Sequence, residues 1–182
     1  RADFIMFMTQ DALPADEYLV ESLMEAFKDE RVGAAYARQL PNPDCRYIEK
    51  YTRSFNYPPK SAEKSEEDIK RLGIKTFFCS NVCAVYRKSI YESLGGFESH
   101  TIFNEDMIMA AKIIQSGYKV SYAAEAQVMH SHNYNWRQQF RRNFDLAVSQ
   151  AEHPEIFEEV KSETEGIRLV KQTAAYLIKT GR

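Results

Sequence analysis

Five apolar residues in a row, Phe4 to Met8, stop abruptly at Thr9-Gln10-Asp11, with a proline following at position 14. Such a run reads as a strand buried on both faces of a parallel-type sheet, and its polar end is where open α/β sheets present ligand-binding groups. Helical and strand spacing alternate after it. Asp16 can cap a helix from Glu17 to Lys28, because Leu19, Leu23, Met24 and Phe27 fall on one stripe, and Arg31 to Arg38 alternates as a second strand. Leu40 to Glu63 carries Pro41, Pro43, Pro58 and Pro59 and predicts a long irregular loop, with Lys64 to Arg71 a solvated helical turn. Thr76 to Tyr86 predicts a strand feeding a helix at Lys88 to Leu94, which Gly95-Gly96 ends.

Asn104 is the expected cap of a helix to about Ser116, with Met107, Ala110, Ala111 and Ile114 on its buried face and Gly117 just past its end. Lys119 to Tyr122 and Ala126 to Met129 read as two short strands leading into His130-Ser131-His132. From Trp136 the pattern is helical only, first to about Gln150 and then, after Pro154, through Ile167, Val170, Ala174 and Leu177. The change near residue 134 divides the chain into an α/β part, residues 1–133, and a C-terminal helical extension, residues 134–182.

Composition removes several classes of function. With 44% apolar and 13% aromatic residues in 182, a core is affordable and disorder over the whole chain is excluded. A balance of 24 basic against 26 acidic residues, net −2, argues against a globally basic nucleic-acid binder, so any anion site must be local. Cys45, Cys79 and Cys83 form no CxxC pair, which suits reduced thiols in a cytoplasmic chain. No apolar run approaches the ~18 residues that span a bilayer, which leaves a soluble chain able to sit against the inner face of a membrane. The start at Arg1, with an apolar strand already under way at Phe4, suggests a piece of something longer.

Three clusters can carry chemistry. Asp11, at a strand end with Thr9 and Gln10, is either a ligand-binding acid or a turn former. Glu105 and Asp106, in the first turn of a helix, complement the helix dipole or supply a base. His130 and His132, one residue apart after a strand, share a face as metal ligands do, or are simply a pair of surface histidines. Arg137, Arg141 and Arg142 add a local positive stripe, either a solvated helix face or a contact for a diphosphate, with Trp136, Tyr134, Phe140 and Phe144 as core or sugar-stacking aromatics.

Taken in order, Thr9-Gln10-Asp11-Ala12, the long loop, Leu94-Gly95-Gly96-Phe97, Asn104-Glu105-Asp106, Gly117-Tyr118-Lys119-Val120 and His130 resemble the second half of a family 2 glycosyltransferase of the GT-A fold. The Thr-Gln-Asp-Ala form is similar to the bacterial rhamnosyltransferase-like branch. The resemblance covers roughly residues 2 to 150 and implies a three-layer α/β/α fold with a mixed sheet. It places Asp11 at the second acid of the DxD motif that ligates a divalent metal, Mg or Mn, with Thr9 in place of the first acid. His130, or its neighbour His132, falls where a further ligand is supplied. Asp106, or next Glu105, falls at the catalytic base of an inverting transfer, and Gly95, Gly96 and Phe97 at the turn that shapes the acceptor pocket.

Thr9, Gln10, Arg137 and Arg141 are then the candidate donor or diphosphate contacts, and Trp136 joins the acceptor side. Gln138, Gln139 and Arg141 are similar to the QxxRW motif of processive relatives, except that Arg142 replaces its Trp. The implied partners are a nucleotide-sugar donor and a glycan or lipid-linked glycan acceptor, with no nucleic acid, peripheral membrane association and self-association of the fragment, which alone should fold without catalysing. The competing readings are a metal-dependent hydrolase built on Asp11, His130 and His132, and a non-catalytic module whose clusters are caps and turns.

Overall fold

The computed structural model describes residues 2–158, 160 and 163–181. Along the chain lie β1 (Phe4–Met8), β2 (Leu13–Pro14), α1 (Leu19–Glu25), β3 (Val32–Leu40), α2 (Tyr47–Asn56), β4 (Ala62–Lys64), α3 (Ile69–Leu72) and β5 (Cys83–Arg87). They are followed by α4 (Lys88–Ser93), α5 (Glu105–Gln115), β6 (Lys119–Met129), α6 (Trp136–Glu152), α7 (Pro154–Phe157) and α8 (Glu163–Lys179). The sheet is mixed, in the order β1-β5-β3-β6-β2 with β4 also on β6, and among the described residues only β3 and β6 run parallel. Each face carries its own core, as a three-layer α/β/α fold requires. On one face Tyr36, Tyr86 and Val120 meet Ile108, Met109, Ile113 and Ile114 of α5. On the other, Val32, Ala35, Val85 and Val128 meet Leu23 of α1 and Phe27 just beyond it.

At Gly33 the sheet and α5 come so close that a Cβ would stand 2.8 Å from Cγ2 of Ile113. Gly33→Ala should therefore cost about 1–3 kcal/mol through overpacking, read as a lower denaturant midpoint with an unchanged slope. An unshifted midpoint would mean that α5 can back away.

Several sequence expectations are corrected. β1 is an antiparallel edge strand, with Met6 and Met8 exposed, because among the described residues only β5 pairs with it. The segment from residue 40 to 63 is not all loop: α2 forms between the two proline pairs, closed by an Arg53–Glu49 ion pair at 2.7 Å, and β4 begins at Ala62. Its prolines flank the helix instead of interrupting it. Lys64, expected on a solvated turn, is buried, with its ammonium on the Tyr36 hydroxyl and the Phe78 carbonyl, and burial pulls it down to about 8. Residues Gly73–Phe77 form a 3-10 turn, so the strand expected from Thr76 begins only at Cys83.

The two short strands after Gly117 are one strand, β6. Pairing to β3 jumps from Ala37↔Ala123 to Arg38↔Gln127, so a bulge accommodates the exposed Glu125 without ending the ladder. Asn104 precedes α5 in the left-handed region, φ 65°, but makes no side-chain cap; its amide donates instead to the Leu146 carbonyl of α6 at 3.2 Å. The apolar stripe of α8 faces outward, with Ile167, Val170 and Ile178 exposed, because Tyr176 stacks on Tyr51 of α2 at 4.8 Å and Arg168 lies over Phe55. Among the described residues no helix is long and apolar enough to cross a membrane.

Candidate functional site

Two residues of pairing in β2, Leu13↔Met129 and Pro14↔Val128, press the turn after β1 against the end of β6. The turn is tight, with the Ala12 N–H on the Thr9 carbonyl at 3.1 Å, and it is anchored through the Thr9 N–H to the Val82 carbonyl at 3.1 Å. Asp11 is thereby set before both histidines: its Oδ2 lies 3.4 Å from Nε2 of His130 and 3.6 Å from Nε2 of His132. The two imidazoles meet edge to face at 4.6 Å, and His132 stacks on Tyr134 at 4.9 Å. One ligand atom from each of the three residues falls within 4.8 Å of the others. Oxygen and nitrogen ligands of a single small divalent ion at about 2.1 Å stand roughly 3–3.6 Å apart, so this donor set fits one cation with little adjustment. A hydrogen bond from the Thr9 side chain holds the Asp11 carboxyl below its usual range, and His130 acts in the same direction.

Behind the triad lies a buried residue that sequence reading missed. Gln39, near the end of β3, receives a hydrogen bond on Oε1 from Arg53 of α2, while its Nε2 donates to the Tyr57 hydroxyl at 2.6 Å and to Ser80 Oγ at 2.9 Å. A guanidinium has no acceptor, so the Gln39 atom facing it must be the oxygen. That same oxygen lies 3.0 Å from Nδ1 of His130, which must therefore carry the hydrogen. Nε2 of His130 is left with its lone pair facing Asp11. Burial, with Arg53 adding to it, pulls His130 down to about 4, so the ring is neutral at pH 7. Gln39 falls just past the strand expected over Arg31 to Arg38 and beside the charged Arg38, so its sequence surroundings carry no signal of this role.

The acids at the start of α5 form a second centre. Oδ2 of Asp106 accepts from the Asn81 N–H at 3.1 Å and Oδ1 from the Met107 N–H at 2.8 Å, while Glu105 accepts from the Asn81 amide at 3.4 Å. Tyr86 completes the set by donating to Oδ1 of Asn81 at 2.8 Å. Desolvation, then the Glu105 charge, push Asp106 up to about 7 against the lowering effect of these N–H donors. A helix N-terminus favours the ionised form of an acid in its first turn; burial outweighs that effect here, and Asp106 titrates near neutrality.

One loop joins the centres. Ser80 touches Gln39, Asn81 holds both acids, and the Val82 carbonyl holds Thr9. Gly95 and Gly96, at φ 84° and 73°, turn the chain so that Phe97 packs on Tyr86 at 5.4 Å, Phe7 at 4.8 Å and Tyr91 at 5.0 Å. Gln10 is exposed in the β1–β2 turn. Trp136, Arg137 and Arg141 stand exposed on α6, Arg137 over the Trp136 ring at 5.0 Å, and among the described residues no hydrogen bond or ion pair joins either arginine to the triad. Cys79 and Cys83 are free and buried, and desolvation pushes their thiols up to about 12 and about 11.

Known proteins resemble both the fold and the sequence. The structure overlays on the mannosyltransferase PcManGT from Pyrobaculum calidifontis, solved in complex with GDP-Man and Mn2+, with a TM-score of 0.58 over 84% of this chain and 39% of that one. At 16% identity this likeness speaks for the shared GT-A fold. The O-antigen chain rhamnosyltransferase WbaN of Salmonella anatum is 47% identical over 179 residues, 98% of this chain and 57% of that protein. RfbN of Salmonella typhimurium, an O-antigen chain rhamnosyltransferase, is 49% identical over the same proportions. The chain thus spans little more than half the length of these relatives. A profile of "Glycosyl transferase family 2" matches residues 1–95, more than half of the 182, and with that match the chain belongs to glycosyl transferase family 2.

Proposed function

We propose that this chain forms the metal- and acceptor-side part, residues 1–133, and a helical extension, residues 134–182, of an inverting enzyme. The enzyme moves a sugar, rhamnose in the first instance, from a nucleotide-diphosphate donor to a glycan or lipid-linked glycan. The observation that carries the reading is the Ser80-Asn81-Val82 loop, which ties the Asp11–His130–His132 cluster to the Glu105–Asp106 pair. Relatives named as O-antigen rhamnosyltransferases and a fold neighbour solved with GDP-Man and Mn2+ support it.

Asp11, His130 and His132 would hold a divalent cation, Mg or Mn, which when bound offsets charge developing on a departing diphosphate. With Thr9 in place of a second carboxylate, the protein offers one charged ligand, so diphosphate oxygens must complete the shell. Asp106 takes the proton of the acceptor hydroxyl. A base that titrates near pH 7 is matched to that task, because about half of it is ionised at neutral pH while it stays basic enough to accept the proton. Glu105 raises its basicity through like charge. Gly95, Gly96 and Phe97 act from behind, by packing Tyr86, which orients Asn81. Thr9 and Gln10 would face the diphosphate from the turn, with Arg137, Arg141 and Trp136 at the mouth. The open edge of β1 favours association with a flanking strand or a second copy. The reading places the work at the cytoplasmic side.

Thermal shift with manganese and nucleoside diphosphates tests this reading. Each alone should move the midpoint little and both together by several degrees. A response to metal alone would point to hydrolase-type ligation; no response to the pair would overturn the proposal.

A further inference from the structure

Helix α6 is packed along one side only. Ser149 is fully buried, bonding Thr101 at 2.8 Å and the Phe103 carbonyl at 2.6 Å; Asn104 reaches the Leu146 carbonyl, and the exposed Arg142 lies over the Phe103 ring at 5.0 Å. Among the described residues nothing covers the opposite side. There Trp136, Phe140 and Phe144, at i, i+4 and i+8, are 75%, 68% and 59% exposed, and Ala147 and Ala151 continue the stripe. Three large aromatics on one solvated helix face are costly in water and need a covering surface.

The flanking charge says which surface. Arg137 and Arg141 border the stripe on one side and the Gln139–Asn143 pair on the other; beside the three rings the border carries these two cations, and acids enter it only further along the helix, at Asp145 and Glu152. Two copies of this face would bring four arginines together, which disfavours self-pairing. Aromatic rings bordered by arginines match the boundary of an anionic bilayer, where rings enter the headgroup region and guanidinium groups meet lipid phosphates. We propose that the Trp136–Phe140–Phe144 face of α6 seats this protein on an anionic lipid surface.

The placement suits the site. Trp136 follows His132 by four positions, so their Cα atoms lie within about 14 Å. An acceptor carried in the same bilayer would arrive beside the Asp11 cluster, a consequence that rests on the transferase reading.

Trp136 is the sole tryptophan, so its emission reports on this face alone. Mixed with vesicles of phosphatidylcholine and phosphatidylglycerol at low salt, the chain should co-sediment, its emission should shift to the blue, and brominated lipid should quench it. Combining Arg137→Gln with Arg141→Gln should weaken vesicle binding about fivefold per charge removed. Combining Phe140→Ser with Phe144→Ser should weaken it about tenfold or more, with circular dichroism unchanged since both rings are exposed. No co-sedimentation, equal binding to purely zwitterionic vesicles, or a blue shift that grows with protein concentration without lipid would each overturn the proposal. None of these readouts involves metal or nucleotide, so the lipid seat and the transferase reading can fail separately.

Discussion

Asp106→Asn should cut sugar transfer by the full-length protein ~10²–10⁴-fold while leaving metal–diphosphate binding within about twofold, because the amide keeps the shape but cannot take the acceptor's proton. The same variant has a stability signature in this chain. The folded pKa of Asp106, about 7, lies above the ordinary 3.8, so the folded state binds the extra proton between about pH 4 and 7. Stability from this group is fully present below about pH 4 and is lost as pH rises through 7. His130, pulled from 6.5 to about 4, acts the other way, and its contribution is lost as pH falls from 6.5 toward 4.

The two partly cancel in the wild-type chain, so the difference between wild type and Asp106→Asn is the quantity to measure. The variant should gain roughly 2–4 kcal/mol relative to wild type on going from pH 4 to pH 8, read by urea unfolding with chelator present. Wild-type turnover, or a difference flat across that range, would remove Asp106 from its role, and Glu105 would be tested next.

Gln39→Leu should weaken manganese binding, measured by electron paramagnetic resonance with a nucleoside diphosphate present, by about 10–100-fold. The substitution leaves the Nδ1–H of His130, the Arg53 guanidinium and Ser80 without their shared partner, so a loss of about 2–4 kcal/mol in stability should accompany it. Gln39→Glu separates orientation from packing: its carboxylate still accepts from His130 and Arg53, and the two hydroxyls can rotate to donate to it. Manganese affinity in that variant should stay within a few-fold of wild type. Imidazole ¹⁵N shifts should report the Nδ1–H tautomer of His130 in wild type and a mixture of tautomers in Gln39→Leu. Unchanged manganese affinity in Gln39→Leu would show that Asp11 and His132 position the cation without this support.

Where an element depended on its own window, its residues announced it. α5 follows from Ala110, Ala111 and Ile114 at helical spacing with Gly117 beyond, and α4 ends at Gly95-Gly96 because two successive positive φ angles suit glycine. The polar end of β1, the acids opening α5 and the pair His130–His132 were each legible as candidates for the same local reason. α2 was masked because proline counts are summed over a window, whereas a helix needs only the ten residues between the pairs to be free of them.

Tertiary structure decided what depends on neighbours distant in sequence. Asp11 and His130 are 119 positions apart (130 − 11), and two residues of β2 pairing to β6 bring them to 3.4 Å, a register that no local window contains. Gln39 acquires its role from Arg53, Ser80 and His130 on three other segments, and its type alone carries no such information. Asp106 titrates near 7 because the folded chain strips water from it beside Glu105; desolvation belongs to the enclosing shell, not to the residue. The periodic apolar residues of α6 and α8 were visible from the start, but periodicity shows only that a helix has an apolar face. Which side is covered depends on what packs there, and on α6 it was the Ser149 side, leaving three aromatic rings and two arginines facing outward.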